Sequence, residues 1–425
     1  MHRLLIALGL AVLSVAGSVR AENWPGFRGP TGLGYTAEKN LPTEWGGDAR
    51  KNVVWSADLP GEGHASPIVW GDRVFTCTVK WTEDSADRKR IPDHHVTCYR
   101  ASDGTRLWDT QIKPGQWLRS DFRSGPGGGY AAPTPCTDGQ HVFVAFGSAV
   151  MASLDFDGHI VWRKDILPYT FDVTLGSSPV LYGDTVVLLC AMANKNDSRL
   201  VAFAKGDGAQ KWETRMPTVG FAHSTPVVID VSGKPQMLVL ASGIGVTPDG
   251  MQSFDPATGK RLWWCRGGGD AASPAFGDGI VYFDSGRGGP GFAVDPTGAG
   301  DVTGANVRWT IPKVAEGIGS PVIVGGYVYR LESPGVLHCW KADTGAEVYS
   351  KKLEGLTSTW ASPITDAEGR LFFASGGRSV VIKAGPQFEV LATNDLHDPN
   401  HASAAVSDGR LFILGKKQLF CVGSK

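Results

Sequence analysis

Beyond its first twenty residues this chain has no apolar stretch of helical spacing longer than a few turns. That lack points to an all-β chain, because a packed helix needs an apolar stripe recurring every three to four residues. No stretch after Gly17 is long and apolar enough to cross a bilayer as a helix. Charge excess is also missing. After residue 21 the chain holds 39 Lys and Arg against 42 Asp and Glu, a net charge of −3, which excludes nucleic acid as an expected partner. Seven cysteines occur, at 77, 98, 136, 190, 265, 339 and 421, with no adjacent pair and no C-x-x-C spacing. Neither a disulfide framework nor a metal cluster is indicated. Cys77 and Cys98 fall on neighbouring predicted strands, so a single bridge between them stays open. No Ser-His-Asp order, paired catalytic carboxylates or phosphate loop stands out. The GRGGPG run from Gly286 precedes a predicted strand, whereas a phosphate loop leads into a helix.

The N-terminus reads as a cleaved signal peptide over residues 1–21. His2 and Arg3 precede an apolar run from Leu4 to Gly17, and Val19 and Ala21 supply small residues for cleavage after Ala21. No cysteine at that point offers a lipid anchor. A periplasmic or extracellular monomer is the expectation. The 56 glycines among 425 residues are about twice the usual share and suit a fold with many tight turns.

What the chain has in abundance is a repeat. A small residue, a proline, a turn and an apolar strand recur from Ser66, Ala132, Ser178, Thr225, Ser273, Ser320, Ser362 and Ser403. The repeat prolines are read as Pro67, Pro133, Pro179, Pro226, Pro274, Pro321 and Pro363, with Ala404 in the eighth copy. Their spacings are 66, 46, 47, 48, 47, 42 and 41. A period in the forties with four short strands per unit is the signature of a propeller blade. Each copy continues into an Asp-Gly or Thr-Gly hairpin and a strand carrying an aromatic: Trp108, Trp162, Trp212, Trp263, Trp309 and Tyr349. These aromatics read as packing wedges between blades, and truncating Trp212 should cost as much as a core deletion. Only three strands follow Ala404. The fourth is expected from Asn52–Trp55, which precedes Pro67 by the spacing that separates Trp309 from Pro321. The fold class is therefore an eight-bladed β-propeller of four-stranded antiparallel blades over residues 52–425. It is closed by an N-terminal strand and preceded by an irregular lead-in over 22–51.

The two repeated phrases, with the opening WPGFRGPTGLG from Trp24, resemble the repeat of pyrroloquinoline-quinone (PQQ) dehydrogenases and their non-enzymatic relatives. Those relatives include the propeller subunit of the outer-membrane protein assembly machinery. The resemblance implies the fold and leaves the activity open, because the repeat residues are structural. The enzymes' vicinal cysteine pair and any C-x-x-C-H haem site are absent from this sequence, and the chain is shorter than the enzymes. PQQ with calcium is therefore a possible but disfavoured cofactor.

Chain direction places the loops between blades, and those between second and third strands, on one face. The elaborated segments Lys80–His95 and Lys113–Tyr130 belong there, and loop elaboration on a rigid scaffold marks the working face. The residue three before each repeat proline should rim the channel on that face. These positions read His64, Tyr130, Gly176, His223, Ala271, Ile318, Trp360 and His401. Lys195, Arg287, Glu332, Arg378 and Lys416 join them from second-to-third-strand loops. A shared zinc ion on three histidines is not expected, since His223 lies nearly opposite His64 and His401. A mouth of histidines, aromatics, cations and one carboxylate suits a small acidic ligand or an envelope protein. The leading expectation is a non-catalytic binding or scaffold propeller in cell-envelope protein assembly. The alternatives are a PQQ-dependent quinoprotein oxidoreductase and a glycan-binding or glycan-cleaving propeller.

Overall fold

The computed structural model describes residues 22–81, 90–116, 129–167, 175–192, 197–220, 222–241, 243–356 and 360–424. Among them are 33 strands and no α-helix. The strands form eight sheets, one per blade, each a meander running outward from the channel. Blades 1 to 7 span residues 68–112, 136–165, 180–215, 227–269, 275–316, 322–352 and 364–395. Blade 8 takes its three inner strands from 405–422 and its outer strand from Val53–Asp58. That strand pairs antiparallel with Gln418–Val422, from Val53 opposite Val422 to Asp58 opposite Gln418. The expected closure by the N-terminal strand is thus present, displaced by one residue from Asn52. Sealing the ring this way covers the outer edge of Gln418–Val422, which the chain's C-terminal end would otherwise leave unpaired.

A closed circuit of eight hydrogen bonds runs round the channel. The hydroxyl residue just before each inner strand accepts from the backbone N–H of its counterpart in the preceding blade. Ser66 donates to Thr134, Thr134 to Ser178, Ser178 to Thr225 and Thr225 to Ser273, all over 2.9–3.1 Å. Ser273 donates to Ser320, Ser320 to Ser362, Ser362 to Ser403, and Ser403 back to Ser66, over the same range. The ring corrects the repeat register. In the second copy the ring residue is Thr134, so the repeat proline is Pro135 and not Pro133. The proline that follows seven of the eight ring residues removes an N–H that the crowded channel could not satisfy, and biases the residue before it toward extended backbone.

The aromatic wedges work by a shared contact. Trp55, Trp108, Trp162, Trp212 and Trp309 each lie flat over the turn glycine of the next blade: Gly104, Gly158, Gly208, Gly259 and Gly345. A Cβ on Gly259 would come within 2.5 Å of the Trp212 ring, so the turn glycine is needed for space as well as for its positive φ of 71°. Four of the indoles also donate to a carbonyl of that neighbour, as Trp108 does to Phe156 at 2.8 Å and Trp309 to Ala342 at 2.8 Å. Trp263 departs from the pattern. Its indole donates to Gln236 in its own blade at 2.7 Å, and blade 5 instead lends the strand Gly300–Asp301, which pairs parallel to Trp263–Trp264. Blade 4 is therefore five-stranded, where four were expected. Trp263 is fully buried while Trp212 is only partly so, which moves the largest truncation cost from Trp212 to Trp263. All seven cysteines are free and buried. Cys77 faces Val96 and Cys98 faces Phe75 across adjacent strands, so the two are offset by two residues and unbridged.

The lead-in is irregular but fixed, and it crosses the face of the turns. Trp24, fully buried, pairs with Val69 in blade 1, and Pro25 accepts from Thr137 of blade 2 at 2.8 Å. Arg28 turns its guanidinium into the channel and donates to the carbonyls of Pro274 in blade 5 and Pro321 in blade 6. Burial lowers its pKa to about 10, which still leaves it charged at neutral pH. Thr36 pairs with Thr365 of blade 7 at 3.0 Å, and the Glu38 carboxylate accepts from Asp408 and Gly409 of blade 8 at 2.9 Å. One mouth of the channel is thereby stopped by the protein's own chain. Deleting residues 22–60 should abolish the cooperative melting transition, since it removes both this stopper and the eighth blade's outer strand. An unchanged transition in calorimetry would contradict that. Trp263→Ala should cost roughly 3–5 kcal/mol in denaturant unfolding, and more than Trp212→Ala.

Candidate functional site

Rim position, ring residue and stopper contacts follow in that order along the chain into each blade, as His64, Ser66 and Val69 do in blade 1. The stopper contacts the ring proline and the residues after it, whereas the rim positions lie two residues before the ring hydroxyl. The rim positions therefore stand on the face opposite the lead-in.

On this face the ends of blades 7, 8 and 1 bring Trp360, His401 and His64 into one arc. The rings of Trp360 and His401 are centred 5.0 Å apart and tilted by 30°; those of His401 and His64 are 5.1 Å apart and tilted by 50°. Trp360 is 48% exposed, the most exposed aromatic among the described residues. Asn400, buried, holds the arc together. Its amide nitrogen donates to Gly63 at 2.9 Å and Gly415 at 2.8 Å, and its oxygen accepts from the backbone of His401 and Ala402 at 2.6 and 3.0 Å. Those partners fix the amide's orientation, so its oxygen also faces Nδ1 of His64 at 2.9 Å. Nδ1 of His64 must then carry the proton, which leaves the lone pair on Nε2. Burial, with the neighbouring His64, lowers the His401 pKa to about 4.

A second cluster faces this arc across the channel, in blades 4 and 5. The Asp270 carbonyl accepts from the backbone N–H groups of His223 and Ser224, and its buried carboxylate is ion-paired with Arg287. Burial raises the Asp270 pKa, and the Arg287 charge opposes that. His223 packs on Gly176 of blade 3, where a Cβ would meet its ring at 2.6 Å. Burial, then the Arg287 charge, lowers its pKa to about 4. His223 thus sits apart from His64 and His401, as the order of blades requires.

Several expected rim residues stand elsewhere. Tyr130 does not rim the channel. With Pro135 as the repeat proline the rim position is Ala132, and Tyr130 is buried against Trp81 and His94. The error came from the sequence APTP, which offers two prolines to one register. Glu332 is also buried, 3.4 Å from Nε2 of His338, so it is no open carboxylate. Arg378 is exposed and its guanidinium covers Gly355. Lys416 is exposed, and Lys195 lies outside the described residues. So do parts of both elaborated loops, 82–89 and 117–128. Asn400 and Asp270 were not anticipated, although both stand four before a repeat proline or its alanine counterpart and signal a shared role. The pair of Arg330 and Asp284 was also missed: fully buried, it joins blades 6 and 5 by bonds of 2.8 and 2.9 Å.

This architecture can be set beside known proteins. The family model described as outer membrane protein assembly factor BamB matches residues 92–264 and again 251–395. The chain belongs to that family of PQQ-like propellers. Within the BamB family, it is 22% identical to the BamB of Burkholderia pseudomallei over 352 residues, 73% of this chain and 82% of that one. It is 27% identical to the tetrathionate hydrolase of Acidithiobacillus ferrooxidans over 302 residues, 66% of this chain. The match spans only 52% of the hydrolase's length. Among solved structures, BamB from Moraxella catarrhalis superposes with a TM-score of 0.60 at 13% identity, covering 88% of this chain and 97% of that one. A europium-containing methanol dehydrogenase reaches 0.55 at 12% identity, covering 94% and 89%. At such identities these structures share the fold alone. As for membranes, no helix among the described residues is long and apolar enough to cross one.

His94 adds a titratable group beneath the mouth. It is fully buried, stacked on Phe146 with centroids 4.5 Å apart, and within 2.7 Å of Ser148. Burial lowers its pKa to about 3. For His94, His223 and His401 alike, the unfolded chain binds a proton near pH 6.5 that the folded chain refuses until pH 4 or below. Stability is therefore complete above about pH 6.5 and falls as the pH drops toward 4. Denaturant unfolding across that range should show the fall, and His94→Gln should flatten it. A slope identical to that of the parent protein would contradict the assignment.

Proposed function

We propose that this chain is a non-catalytic scaffold propeller of the cell envelope, working as a monomer in outer-membrane protein assembly. Its open mouth receives a partner protein or an acidic ligand. The observation that carries this reading is the asymmetry of the two mouths. One is stopped by residues 24–36, so a partner on the channel axis has only the other to meet. There a half-exposed tryptophan stands beside two imidazoles, with Arg378 and Lys416 on neighbouring loops. Exposed aromatics and arginines are the residue types that anchor protein interfaces. Membership of a family described by its assembly factor, and a relative of that name matched over most of both chains, support the envelope role.

The fold is also that of quinoprotein dehydrogenases, but the residues at the mouth do not fit a PQQ–calcium pair. Calcium takes six to eight oxygen ligands. Here the buried carboxylates Asp270 and Glu332 are committed to Arg287 and His338, and the sequence has no vicinal cysteines to cover a quinone.

Site-specific photo-crosslinking in living cells tests the scaffold reading. A benzophenone amino acid at position 360 should give adducts with a component of the assembly machinery, and one at position 39, on the stopped face, should not. Adducts from 39 alone would contradict the proposal, as would PQQ-dependent dye reduction by the purified protein.

A further inference from the structure

We infer that Glu22 is the first residue of the working protein, and that its free α-amino group pairs with the Glu38 carboxylate to lock the stopper. The lead-in is a loop that returns to its own start. From Trp24 at blade 1 it passes blade 2 at Pro25 and blades 5 and 6 at Arg28, and reaches blade 7 at Thr36. There residues 36–38 meet Glu22. The Glu22 carboxylate accepts from the Thr36 hydroxyl and, at 3.0 Å, from the N–H of Ala37. Its carbonyl accepts from the Ser407 hydroxyl of blade 8 at 2.7 Å. Its backbone nitrogen donates to Oε1 of Glu38 at 3.2 Å. The same Oε1 accepts from Asp408 and Oε2 from Gly409, both at 2.9 Å. The two ends of the loop and the inner turn of blade 8 are thus one knot, centred on residue 22. The first residues of a domain are loose unless something ties them down, and here nitrogen, carbonyl and side chain are all tied.

The knot holds two carboxylates and lacks a cation. Among the described residues no lysine, arginine or histidine pairs with Glu22 or Glu38. In the intact chain the nitrogen at position 22 is a neutral amide with one N–H. Hydrolysis of the Ala21–Glu22 bond supplies the missing charge. Water adds across the amide, leaving a carboxylate on Ala21 and an ammonium group on Glu22. An α-amino group titrates at about 7.7–8.0, so at neutral pH most of it is charged. It then offers Glu38 a charge-assisted bond, which is shorter and stronger than a neutral one. Val19 and Ala21 carry the small residues that a leader peptidase requires at this bond. Removing the leader therefore completes the stopper, whereas a chain extended beyond Glu22 keeps the neutral amide. The inference rests on cleavage after Ala21 and not on the scaffold reading.

Glu22 and Glu38 are both half-buried, and a partly exposed pair adds little stability, so the test reads the amine itself. The chain is expressed with its own leader and recovered after export, and mass spectrometry identifies its first residue. Trace acetic anhydride at pH 8 then labels the α-amine, with the exposed Lys260 as internal reference. The chain should begin at Glu22, and its α-amine should label at least threefold more slowly than that of Glu38→Gln. That variant keeps an oxygen acceptor and removes the charge, and its melting transition confirms its fold. Two glycines inserted between Ala21 and Glu22 carry the amine away from Glu38 and should give the fast rate with Glu38 intact. A first residue other than Glu22, a retained leader, a difference under threefold, or slow labelling that survives the insertion would each overturn the inference.

Discussion

Eight hydroxyl groups hold this molecule's geometry. The inner strands are two to five residues long, and strands so short at the centre of a ring cannot reach one another through a sheet ladder. The circuit from Ser66 round to Ser403 and back gives each blade one direct bond to the next at the channel wall. Every donor in it is a buried backbone N–H, and leaving one unmade costs about 1–3 kcal/mol. The constraint also explains what varies. Successive ring residues are separated by between 41 and 68 positions, and the differences are absorbed in loops. The ring spacing itself is constant, and lengthening a surface loop is thermodynamically mild.

Two consequences follow for the faces. Because the ring prolines and the residues beyond them bind the lead-in, one mouth is filled from within by Arg28 and its neighbours. Because the positions before the ring vary in chemistry, the other mouth can carry function without disturbing closure. The seam between blades 8 and 1 combines both. Its strand pairing, its ring bond and the Asn400 contacts to Gly63 and His64 join residues more than 300 positions apart. Trp360, His401 and His64 stand directly above it.

Much of this was legible in the residues. The recurring Ser-Pro or Thr-Pro, the turn glycines and the placed tryptophans specify eight blades, and the missing last strand points to the N-terminal one. Each feature is local, repeated and tied to one backbone need. The Tyr130 error shows where that fails: two prolines two residues apart satisfy the same pattern, and only the ring bond of Thr134 chooses between them. Glu332 looked like a rim charge because loop position alone does not reveal His338 on the next strand. Trp263 matched its counterparts in sequence, yet the strand Gly300–Asp301 took over its neighbour's role. Asn400 escaped notice because its four backbone partners come from both ends of the chain.

The central claim is that the stopped and open mouths divide the molecule's labour. Hydrogen exchange read by mass spectrometry, on the free chain and on the chain mixed with solubilised outer-membrane assembly complex, tests it most directly. The account predicts new protection in the segments around 60–65, 360 and 398–402, with residues 24–46 equally protected in both states. Binding-induced protection confined to residues 24–46 would contradict it.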